Sequence, residues 1–107
     1  MGGSVIRVAS KAERKAARDR VAAYHEAHLG ELVEHVGRAL DGFRAGQADA
    51  FEVDALIHQY HRAAQRLWAF CDQSGAQVES AAHLIDDMAG RGEMIDWWQR
   101  GLSTRAM

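Results

Sequence analysis

The chain has 107 residues, 48% of them hydrophobic and 26% charged, with a formal net charge of −2 at pH 7. That is the size and composition of one ordinary globular domain, with no overall attraction to nucleic acid or to an anionic membrane. Proline is absent, and the single cysteine, Cys71, excludes an internal disulfide and points to a reducing, cytoplasmic setting.

Residues 1–10 carry no apolar run of the kind a signal peptide needs, and no stretch is long enough to cross a bilayer. Alanine, leucine, arginine and glutamate are frequent and β-branched residues sparse, which favours helix throughout. The expected fold is all-α: an antiparallel bundle of three main helices plus a short C-terminal helix, one domain over residues 1–107 with flexible ends at 1–9 and 101–107.

Three capping boxes divide the chain. In each, a Ser or Asp satisfies a free N–H of the first helical turn, and a Glu or Gln three residues later reaches back. They are Ser10 with Glu13, Asp49 with Glu52, and Ser74 with Gln77. The first predicts a helix over about 11–45, stopping at Gly46, with Ala22, Leu29, Leu32, Val33, Val36, Leu40 and Phe43 inward. The second predicts a helix over about 50–72, with Val53, Leu56, Ile57, Tyr60, Ala64, Leu67, Trp68 and Cys71 inward. The third predicts a helix over about 75–89 ending at Gly90, with Val78, Ala81, Ala82, Ile85 and Met88 inward. "EMIDWWQR", 93–100, reads as a short fourth helix.

The connection "GQAD" is short, so the first two helices are antiparallel neighbours. The first helix outruns its partner, and its leading turns need a cover. Two features there point to a partner. The inward stripe turns basic at Lys11, Arg14 and Arg18, a candidate contact surface. Small residues recur every seven positions at Ala16, Ala23, Gly30 and Gly37, a line along which another backbone can approach closely. That line is filled either by a second copy, giving a homodimer through helix 1, or by the third helix and the C-terminal segment. Trp97 and Trp98 form either a lid on the bundle or an exposed patch for a protein partner.

Of the six histidines, five fall on the first two helices and can be ranked by the face they occupy. His25 falls within the apolar stripe, at the level of Phe70 and Cys71, as a core histidine. His28 and His35 lie seven apart on a solvated flank. Asp54, His58, His61 and Gln65 share one face of the second helix, and Asp86 or Asp87 is placed near His61 by counting back through the turn. A carboxylate one turn before a His-x-x-His pair, completed by an aspartate from another helix, is the spacing by which helical bundles hold a divalent metal such as zinc. The repeated Glu-x-x-His pattern of carboxylate di-iron proteins is absent. The favoured function is a small cytoplasmic, non-catalytic interaction or regulatory module without a cofactor, probed against the alternative of a metal-binding bundle, conceivably hydrolytic.

Overall fold

The computed structural model describes residues 10–72 and 76–102. Its elements are α1 (Lys11–Arg44), α2 (Ala50–Cys71), α3 (Ala76–Gly90) and α4 (Trp97–Arg100), with no strand among the described residues. Two of the three capping boxes are present in full. Ser10 Oγ accepts from the Glu13 N–H at 3.0 Å while the Glu13 carboxylate accepts from the Ser10 N–H at 2.8 Å. Asp49 and Glu52 make the same reciprocal pair at 2.8 and 2.9 Å. Ser74, the third expected cap, and the expected flexible ends at 1–9 and 103–107 lie outside the described residues.

Helix α1 ends where expected. Gly46 takes φ +76°, a left-handed conformation open to glycine at little cost, and its N–H bonds back to the Phe43 carbonyl. Helix α3 does end at Gly90, but the left-handed turn falls two residues later, at Gly92 with φ +71°. The fourth helix is shorter than the sequence predicts. Residues 93–96 are not helical, because the Asp96 side chain caps the Gln99 N–H at 3.1 Å and starts the helix only at Trp97.

Helix α1 is the spine, about 51 Å long at 1.5 Å per residue. Leu40 and Phe43 face Val53 and Ile57, Leu29 faces Ala64 and Trp68, and the Tyr24 ring meets Phe70 near the end of α2. Rising numbers on one helix meet falling numbers on the other, so the two are antiparallel, as the short turn requires. Residues 11 to about 22 extend beyond α2. Their cover is α3: Ala17 lies with Glu79 and Ala82, Arg20 pairs with Asp86, and Tyr24 and His28 lie with Met88 and Ala89. Numbers rise together here, so α3 runs parallel to α1. The chain then continues along α1 to α4, which packs chiefly on α2.

The core threads these contacts: Ala17, Val21 and Leu32 from α1, Ala63, Leu67 and Cys71 from α2, Val78, Ala81 and Ala82 from α3, and Trp97. Leu32 and Leu67 are the largest fully buried side chains, each worth about 1.5–3 kcal/mol of transfer free energy. The inward stripe of α3 is as the sequence predicts. Those of α1 and α2 are rotated. On α1, Ala22 is exposed and Val21 is buried in its place, and Val33 stands 50% exposed. On α2, Gln59 and Ala63 go inward while Ile57 and Trp68 are 44% and 58% exposed. At 100° per residue, the apolar arc on each helix is wider than the arc its neighbours cover.

Candidate interaction surface

Helix α4 is a lid rather than an open patch. Trp97 is 5% exposed, its indole N–H donates to the Tyr24 hydroxyl at 3.0 Å, and its ring lies 5.3 Å from Phe70. Trp98 is half-buried and stacks flat on His35, with centroids 4.1 Å apart and planes 1° from parallel. Helix α2 clamps the other side. Gln59 Nε2–H donates to the Trp98 carbonyl at 2.9 Å and Arg62 Nε–H to the Gly101 carbonyl at 2.6 Å. Gly101, expected in a flexible tail, is buried so tightly that a Cβ there would stand 2.4 Å from the Gln59 carbonyl oxygen. Trp97 is therefore core and not contact surface, because two helices and a hydrogen bond already satisfy it.

The histidines sort differently from expectation. The position beside Phe70 belongs to Tyr24, not His25; one residue of helix is a 100° turn. His25 is half-buried on the shoulder of α1, where it lines a hollow of about 360 Å3 with Leu29, His61, Ala64, Gln65 and Trp68. His28 and His35 are not simply solvated. His28 Nδ1 lies 2.9 Å from Glu31 Oε1 with its ring 4.2 Å from Tyr24, and the Arg38 guanidinium donates to His35 Nδ1 at 3.3 Å beside the Trp98 stack.

Of the expected metal ligands, only Asp54 and His58 meet, His58 Nε2 to Asp54 Oδ2 at 3.4 Å, both exposed. His61 is exposed on the same helix. Asp86 turns to α1 and pairs with Arg20, and Asp87 is exposed. The aspartates miss His61 because α3 lies against the overhang of α1, past the end of α2, and not alongside the middle of α2. Among the described residues, no three His, Cys, Asp or Glu side chains gather where they could hold one ion. Cys71 is buried, and burial pushes its thiol up to about 11, so it is protonated and unreactive at neutral pH.

Among the described residues, two surfaces bear on the expected partner. The first is the start of α1, where Lys11 and Arg18 are exposed and Arg14 is half-buried. The second is the face of the α1–α2 hairpin turned away from α3 and α4. It carries Leu29, Val33, Leu40 and Phe43 from α1 and Ile57, Ala64 and Trp68 from α2. Gly30 and Gly37 flank it, and among the described residues nothing lies within 4 Å of where a Cβ would stand at either, so neither α3 nor α4 fills that part of the line. Ala16, by contrast, lies near α3. Sequence reasoning assigned most of this face to the core; its openness becomes visible only when the packing partners are counted. No family model, curated protein or solved structure matches this chain.

Proposed function

We propose that the chain is a small, cytoplasmic, non-catalytic interaction module that works as a homodimer through α1. The observation that carries this reading is the uncovered apolar face of the hairpin. Large side chains such as Trp68 and Val33 are costly to leave in water when they form one contiguous patch, and such patches mark sites of association. The open line at Gly30 and Gly37 beside it supports the close approach of another helix. The basic start of α1, at Lys11, Arg14 and Arg18, is the polar part of the contact surface. No helix among the described residues is long and apolar enough to cross a membrane.

Light scattering through the micromolar range tests this. The reading expects a molar mass near twice the 11.8 kDa of one chain. A mass of one chain at every concentration would contradict it.

A further inference from the structure

The two surfaces described above lie end to end on the same side of the molecule. Arg18, Ala22, Leu29, Val36 and Leu40 fall within about 40° of one another around α1 at 100° per residue. The apolar face of the hairpin thus runs directly into the basic overhang. At the far end of the hairpin the charge is reversed: Asp41, Asp49, Glu52 and Asp54 surround the turn, against Arg44. All five are exposed.

We propose that this face is covered by the same face of a second copy lying antiparallel, so that the basic overhang of each α1 rests on the acidic hairpin turn of the other. The proposal rests on the homodimer reading and its apolar face, and adds the direction and the register.

Three observations select this occupant. The hollow at the middle of the face is lined by His25 and His61 but by no carboxylate, lysine or arginine, so it meets its own copy without like-charge repulsion and offers a highly charged partner little to pair with. The size fits next. Helix α2 spans about 33 Å, and two helices about 10 Å wide give roughly 650 Å2, short of the ~800 Å2 per partner of an ordinary stable interface. The α1 overhang, about 18 Å more, makes up the difference, so a stable dimer has to use it. Charge then sets direction. A parallel pair would lay Lys11 and Arg18 on their own copies, whereas an antiparallel pair lays them on carboxylates.

The register follows. Arg18 and Lys11 lie 11 and 18 residues before Leu29, so a two-fold axis at Leu29 sets them opposite positions 40 and 47, the first at the level of Asp54 on α2 and the second in the connection between the two helices. At that axis sits the hollow lined by His25, Leu29, His61 and Ala64, with Trp68 standing 58% exposed at its edge. A large aromatic beside a matching hollow at the centre of an interface is the usual site of greatest binding energy.

Sedimentation equilibrium of the full chain tests this with four variants. Arg18→Glu and Asp54→Arg should each raise the dimer dissociation constant about tenfold, because each turns two symmetric attractions into repulsions. The double variant R18E/D54R should recover most of that loss. Trp68→Glu should be monomeric, with its helical circular dichroism unchanged because Trp68 lies outside the core. A dimer indifferent to Trp68→Glu would overturn this face as the interface, and with it the antiparallel arrangement, though the chain would still be a dimer. Single swaps that weaken association without recovery in the double variant would overturn the antiparallel register. A wild-type chain that stays monomeric would overturn both the proposal and the homodimer reading.

Discussion

Trp97 donates its indole N–H to the Tyr24 hydroxyl at 3.0 Å, across 73 residues of sequence, and both rings close on Phe70. This contact fastens the end of the chain to the spine and seals the side of the hairpin opposite the proposed dimer face. Removing the hydroxyl leaves a buried donor without its partner. Tyr24→Phe should therefore cost about 1–3 kcal/mol, and Trp97→Ala about 3–5 kcal/mol, in urea denaturation.

Gly101 is held by proximity, not by backbone conformation, since its φ is −84°. A Cβ there would meet the Gln59 carbonyl oxygen at 2.4 Å and the Ala63 backbone nitrogen at 2.8 Å, and α2 has no flexible side-chain end to yield. Gly101→Ala should displace α4 from α2 at a cost of about 1–3 kcal/mol. Trp98 would leave its stack on His35, which a red shift in tryptophan emission and faster proteolysis at residues 91–96 would register.

The capping boxes are local and separable from association. Asp49→Ala removes the acceptor for the Glu52 N–H at the start of α2 and should lower stability by about 1 kcal/mol in thermal or urea unfolding. Ser10→Ala should cost less, because the first turn of α1 projects beyond α2.

Alkaline pH should loosen the fold. Burial raises the Cys71 thiol from 9.0 to about 11, and burial also raises the Tyr24 hydroxyl above 10.0, outweighing the lowering by Trp97. In both cases the folded state prefers the protonated form. The associated stability is complete below pH 9 and is lost as pH rises through 11, on the order of 2 kcal/mol for Cys71 alone. The urea midpoint should fall between pH 9 and pH 11, and Cys71→Ala should remove most of that fall. A midpoint unchanged over this range would contradict the burial of the thiol.

Much of the fold is legible in the sequence because the signals are local. A capping box such as Asp49 with Glu52 acts within one turn, and Gly46 ends α1 by its own conformational freedom. What depends on distant partners is not legible. The apolar arcs of α1 and α2 are broad enough for two neighbours, so periodicity alone gave His25 the position that Tyr24 holds. The placement of α3 along the α1 overhang turned Asp86 toward Arg20 and away from His61. The close approach of Gly101 to α2 has no local signature, and neither does the flat stack of His35 on Trp98. The breadth of the apolar arcs was nonetheless information. It exceeded what one chain covers, and the excess is the proposed interface.

The central claim is that Trp68 is covered by association while Trp97 is covered within the chain. Fluorine NMR of protein labelled with 5-fluorotryptophan reads each of the three tryptophans separately, with the Trp68 signal identified by its loss in Trp68→Phe. The account predicts that the Trp68 resonance moves on dilution toward its solvent-exposed position while the Trp97 resonance stays fixed. A Trp68 resonance independent of concentration and sensitive to solvent isotope throughout would contradict it.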